Sequence, residues 1–432
     1  MGAIACILVF GLVLVVLNAM LGVSNEQQQD VVVNGSFGTY RGTVSSVAGI
    51  LVNAFMRVPY ADPLTARFGE PISWHRKGQQ FDNTAPGPGC AQTDLDGGRL
   101  RVGSDNYDGR ALAALGDVVV VVPNSRLGVL GFLNLPVPGV PSNAGLLDQA
   151  EALNWTARNI GFFGGDESDL VVVGHGSGAS ALAYHLWARE ELTAFANVHK
   201  VVFMSESPLT RQGRLRSLPV LPAASAAHAR KGAVQAKSGH PFGEKSYIAH
   251  PISRKLLSRW QIITIKPVIG TVLVGFSDDE GPELLTFINS SFRIGPQNMS
   301  EQVRSVLSNY YGFSPEDAKN VTSLYDKGQR DGNFAEELFS DLLVVCPVRL
   351  FAEQLHAWGH RVHTYVLHRT RSEDSESGVP RGQSVRLLFG YPVLQQAEES
   401  ETALSTRVIS HWAHFFKTGC VLGMFGVVGA RA

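Results

Sequence analysis

Short apolar runs of two kinds alternate along this chain. Residues 31–44 (VVVNGSFGTYRGTV) and 49–63 (GILVNAFMRVPYADP) swap apolar and polar residues around glycine turns, the pattern of antiparallel hairpin strands. From residue 117 the pattern changes to continuous apolar runs, beginning with the five valines of 118–122. Such runs predict strands buried on both faces. Further runs at 171–173, 200–204, 267–276 and 363–367 are separated by helical spacings over 143–163, 179–186, 282–311, 314–325 and 334–358, with a last helix over 402–417. Strands and helices in this order predict an α/β chain: a central, mostly parallel sheet flanked by helices, preceded by the antiparallel hairpin.

The stretch 169–184, DLVVVGHGSGASALAY, has the most specific local pattern. A valine strand runs through a glycine-rich turn into a helix, as in a nucleophile elbow, where the central residue of G-x-?-x-G is pushed out at the top of the sheet. The outer glycines are Gly174 and Gly178, so the central position is Gly176, which has no side chain to attack a substrate. Ser177 does not rescue the motif. As nucleophile it would put His175 and Ala179 where the two small flanking residues belong, so it reads as the residue that opens the helix. The same turn satisfies a loose dinucleotide fingerprint, Gly174-x-Gly176-x-x-Ala179, but the strand-end acid Glu206 is about 27 residues beyond it, against roughly 20 expected.

Composition narrows the class. The chain has 432 residues, 44% hydrophobic, with a formal net charge of −1, enough to bury a large core and no electrostatic footprint for nucleic acid. Residues 3–23 form one apolar run before a polar SNEQQQD, which predicts a secretory signal peptide cleaved after Ser24 or, because the run is long enough, an uncleaved signal anchor. Sequons at Asn34, Asn154, Asn289, Asn298 and Asn320 fit a secreted or surface glycoprotein. Outside the leader the cysteines are Cys90, Cys346 and Cys420, an odd set that leaves at least one thiol without an intramolecular partner. His356, His360, His363 and His368 lack cysteine or acid at ligand spacing, so no metal and no cofactor is expected. Residues 209–245, with Arg211, Arg214, Arg216, Arg230 and Lys231, read as a mobile or disordered polar insert.

Several blocks, taken in order, resemble the type-B carboxylesterase and cholinesterase family of α/β-hydrolases: 55–63, 97–109, 117–134, 143–179, 204–210, 278–281, 378–392 and 410–419. They cover most of the chain, and the resemblance implies an α/β-hydrolase fold over residues 25–419, between the leader at 1–24 and a short apolar tail at 420–432. It implies site residues as well. The family's nucleophile position falls on Gly176, the triad acid on Glu280, and the triad base on Arg381. The oxyanion loop falls on Gly97, Gly98 and Arg99, with the backbone of Ser177 as third donor. Glycine offers no nucleophile and arginine stays protonated, so two of the three groups cannot work. Losing such a group costs on the order of 10⁴ to 10⁶ in turnover. Arg381 is expected to pair with Glu280 instead.

The family also contains triad-less adhesion proteins such as neuroligins, neurotactin, gliotactin and glutactin. By resemblance the chain is expected to be a catalytically inactive relative, extracellular, with a protein partner, no nucleic acid, membrane contact only through the N-terminus, and a homodimer allowed. Two other readings stand beside it: a secreted carboxylesterase or cholinesterase, and a truncated isoform without function. The second arises because Cys90 is followed almost at once by Gly97, where the family carries a sheet strand and another cysteine, and because the helix and cysteine expected near the C-terminus are replaced. The fold is therefore expected to lack a strand and the C-terminal helix, with the pairing of Cys90, Cys346 and Cys420 open.

Overall fold

A computed structural model describes residues 6–10, 13–16, 30–62, 67–87, 90, 107–132, 141–188, 193–209, 270–292, 294, 298–309, 311–326, 334–368 and 381–421. The insert at 209–245 lies almost wholly outside them, as do the tail beyond Val421 and the oxyanion-loop residues Gly97, Gly98 and Arg99.

Among the described residues the strands are β1 (Cys6–Phe10), β2 (Val13–Val16), β3 (Asp30–Gly35), β4 (Gly38–Val47), β5 (Ile50–Ala54), β6 (Gln79–Asp82), β7 (Val119–Val122), β8 (Leu170–His175), β9 (Val198–Met204), β10 (Thr271–Ser277) and β11 (Arg361–Leu367). They form one sheet in the order β11-β10-β9-β8-β1-β7-β2-β5-β4-β3, with β6 beside β4. From β11 to β7 every pairing is parallel; from β7 to β3 every pairing is antiparallel. The expected mostly parallel sheet and N-terminal hairpin are both present.

The valine runs explain the layering. Successive side chains of a strand point to opposite faces, so Val119 and Val121 pack with Val172, Phe203 and Val274 on one side. Val118, Val120 and Val122 pack with Val171, Val173 and Val202 on the other. The first face is covered by helices Ala144–Asn159, Ser177–Trp187, Met299–Asn309, Phe334–Ser340 and Cys346–Ala357. Arg110–Gly116, Gln383–Leu388 and Glu399–Thr418 cover the second. A strand buried on both faces has no polar side, which is why these runs show no alternation.

Two expectations are corrected in detail, and one open question is answered. The single helix predicted over 334–358 contains a π turn at Asp341–Val345. Pro347 has no N–H to give the carbonyl four residues back, and the widened turn carries the chain past that loss. The gap expected from the missing strand is also closed: β1 lies between β7 and β8, parallel to both, with Cys6–Leu8 in register with Val119–Val121 and Cys6–Phe10 in register with Leu170–Gly174. β2 lies on the other side of β7. Thus the apolar run that reads as a leader supplies the strands. Finally, Cys90, Cys346 and Cys420 are all free thiols, so no disulfide joins them.

Candidate functional site

The turn from β8 into the helix Ser177–Trp187 has the backbone of an elbow. Gly176 sits at φ 58°, ψ −127°, a region that side-chain-bearing residues enter only under strain. Its N–H donates to the Met204 carbonyl on β9 at 2.9 Å, and its carbonyl accepts from the Ala179 N–H at 2.9 Å. A β-carbon on Gly174 would lie 2.5 Å from the Gly178 carbonyl oxygen, so the glycine two residues before the apex is required by the close approach of the helix. Ser177 is exposed at the first position of that helix, as its reading as a helix opener expects.

Parallel strands deliver their C-terminal ends to one edge of the sheet, and three acidic or basic groups meet there. Arg381 enters from the residue before Gly382, which caps the helix Gln383–Leu388. Its Nη1 donates to Glu280 Oε2 at 2.9 Å and to the Ser205 carbonyl at 3.1 Å. Its Nη2 donates to Glu206 Oε1 at 3.0 Å. Glu280 Oε1 in turn accepts the Ser277 N–H at 2.9 Å. The expected Glu280–Arg381 pair is therefore present, and it is buried: the side chains are 0% and 14% exposed.

The electrostatics follow from this burial. Removal from water pushes the Glu280 carboxyl above its usual range, while Arg381 and the Ser277 N–H pull it back. Burial works against the charge on Arg381, but Glu206 and Glu280 more than offset it and hold the guanidinium protonated. His175 beside the apex is pushed down to about 3 by burial and by Arg381, so its imidazole is neutral. Its Nε2 is buried with no hydrogen-bond partner.

What the cluster can do chemically is limited. An ester hydrolase needs a nucleophile at the apex and a base beside it. A β-carbon built on Gly176 would be 3.1 Å from Arg381 Nη2, so the guanidinium occupies the space next to the apex where a base would sit. It cannot accept a proton. No other group in contact with the apex is both basic and accessible among those described: the His175 nitrogen is sealed, and Glu206 and Glu280 are engaged by Arg381.

The structure brings together Gly176, Glu280 and Arg381. Glu206 belongs with them. The sequence offered it only as a strand-end acid, yet the end of β9 lies on the same sheet edge as Gly176 and Glu280, and that shared edge was the available signal. His368 is elsewhere, exposed and paired through Nδ1 with Asp278. His356 is exposed and His360 buried, and no group of three or more histidines, cysteines or acids among the described residues could hold a metal ion. Of the sequons, Asn34, Asn298 and Asn320 are exposed, whereas Asn154 is half-buried within the helix Ala144–Asn159. Asn289 lies on the helix Gly281–Phe292.

A mostly parallel sheet covered by helices on both faces, with an elbow turn and an acid on its carboxyl edge, defines an α/β-hydrolase architecture. The sequence matches the Carboxylesterase family at residues 95–214 and 214–423, most of its length, and the chain belongs to that family. It is similar to acetylcholinesterase of Bungarus fasciatus, with 27% identity over 363 residues, covering 73% of this chain. The chain spans only 58% of that relative's length.

Proposed function

We propose that this chain is a carboxylesterase-family protein that does not hydrolyse esters and serves instead to bind a protein outside the cell. The supporting observation is the seating of Arg381 against Gly176. The apex carries no nucleophile, and the place of the base is filled by a cation locked between Glu206 and Glu280. The fold is kept while the chemistry is removed, which leaves surface recognition as the use of the scaffold. The binding role rests on the resemblance to the non-catalytic adhesion members of the family. Secretion or surface display is part of the same proposal, supported by the exposed sequons and by kinship with a cholinesterase.

The test is hydrolysis of a short-chain aryl ester by the purified chain, beside a variant carrying Gly176→Ser and Arg381→His together. The natural chain is expected to match buffer. Activity in the double variant would show that the rest of the machinery is intact, whereas turnover by the natural chain would return the protein to the esterases. The binding half is tested separately: beads coated with the folded chain are expected to attach to cells that do not express it. Absence of attachment across a panel of cell types removes that half.

A further inference from the structure

β7 has two neighbours in the sheet, β1 and β2. Both come from the apolar run that the sequence offers as a leader. Val119, Val120, Val121 and Val122 are 0%, 0%, 4% and 3% exposed, so the peptide groups of β7 have no water to turn to. Buried backbone N–H and C=O groups are almost always paired, and leaving one unpaired is costly. On one side β7 is in register with Cys6, Ile7 and Leu8; on the other, with Val13, Leu14 and Val15. The same two strands carry the pairing onward, β1 to β8 and β2 to β5. Cleavage after Ser24 would remove both, strip β7 of every strand partner, and split the sheet into β3–β6 on one side and β8–β11 on the other.

We infer that residues 6–16 stay in the folded protein as the two strands that flank β7, so that excision as a leader and completion of the sheet are alternative fates of one segment. Cys6–Phe10 and Val13–Val16, paired to β7 on one side and to β8 or β5 on the other, cannot lie in a bilayer while they hold those places in the sheet. The segment is suited to either fate by composition alone, because unbroken apolarity is what a leader and a doubly buried strand both require. Pairing decides between them. This inference is independent of the proposed loss of catalysis, but it removes excision of this segment as the route to the proposed place outside the cell.

The test uses the full chain expressed in a secretory cell line. Intact mass and N-terminal sequencing of the folded, monodisperse protein are expected to include residues 6–16, and hydrogen exchange over Val119–Val122 is expected to be as slow as over β8. Leu8→Pro, which removes an N–H from the middle of β1, is expected to lower Tm by about 3–5 °C, while Gln27→Pro, in the polar stretch that follows the apolar run, leaves it unchanged. Cleaved chain recovered only as aggregate also supports the inference. A folded, monodisperse protein that begins after Ser24 overturns it. So does a retained segment in which Leu8→Pro and Gln27→Pro behave alike, because then the segment is present but unpaired.

Discussion

Arg381 makes three hydrogen bonds to buried partners, and its value shows in what its removal would strand. Arg381→Ala leaves Glu206 and Glu280 buried together without a counter-charge, a loss expected to cost about 3–5 kcal/mol in a chemical denaturation. Adding Glu280→Gln to that variant should recover part of it, since the uncompensated charge goes with the carboxylate. His175 contributes a pH dependence of definite sign. Its folded pKa, about 3, lies below the ordinary 6.5, so between those values the unfolded chain binds the extra proton. Stability is therefore present above pH 6.5 and lost as pH falls toward 3, with His185, held at about 4 by burial, adding to the same trend. Glu280, whose pKa is raised, opposes it. His175→Gln should flatten the dependence of the urea midpoint below pH 6.5 by up to about 1.4 kcal/mol per pH unit. An unchanged slope would mean that the ring is solvated. At this scale Gly176 was legible from the turn motif, while Glu280 and Arg381 were legible only through the family resemblance. Glu206 was legible only as an acid at the end of a strand: its sheet edge could be read, but not that the side chain of Arg381, 175 positions away, would reach it.

At the scale of strands and helices, close approach dictates residue choice. A β-carbon on Gly275 of β10 would lie 2.2 Å from the Tyr365 carbonyl oxygen of β11, backbone that cannot step aside without opening the ladder. Gly275→Ala is expected to destabilise by about 1–3 kcal/mol or more, measured by urea unfolding. Gly49→Ala, in a left-handed turn with open space around it, should cost only about 1 kcal/mol from backbone strain. Most elements could be read ahead. Valine runs gave β7, β8, β9 and β10, and helical spacing gave most of the helices on the first face and Glu399–Thr418 on the second, but it did not give Arg110–Gly116 or Gln383–Leu388 and ran Gly281–Phe292 and Met299–Asn309 together. β1 and β2 could not be read this way, because periodicity within the segment is silent about partners and its apolarity fits a leader equally well. The π turn before Pro347 was hidden for a similar reason: the apolar spacing runs through it without a break.

For the whole molecule, the formal charge of −1 means that little long-range repulsion separates copies near neutral pH. Static light scattering is expected to show the strongest self-attraction, and solubility its minimum, close to pH 7, with improvement on moving one or two pH units either way. A monotonic trend would point to specific association in place of charge balance. The two faces of the sheet were foreseeable as a class, whereas the continuity between its parallel and antiparallel halves rests on six registered residues flanking β7, which only the structure displays. The lodging of Arg381 against the apex also bears on ancestry. A serine arriving alone at position 176 would place its β-carbon 3.1 Å from the guanidinium nitrogen, beside a fixed positive charge and with no base within reach. Position 381 must therefore change first for a serine to be useful, and that first change strands two buried acids. A chain that acquires both changes one at a time passes through an intermediate less stable than either endpoint. On the proposed loss of catalysis, the change at these two positions is easier to make than to reverse.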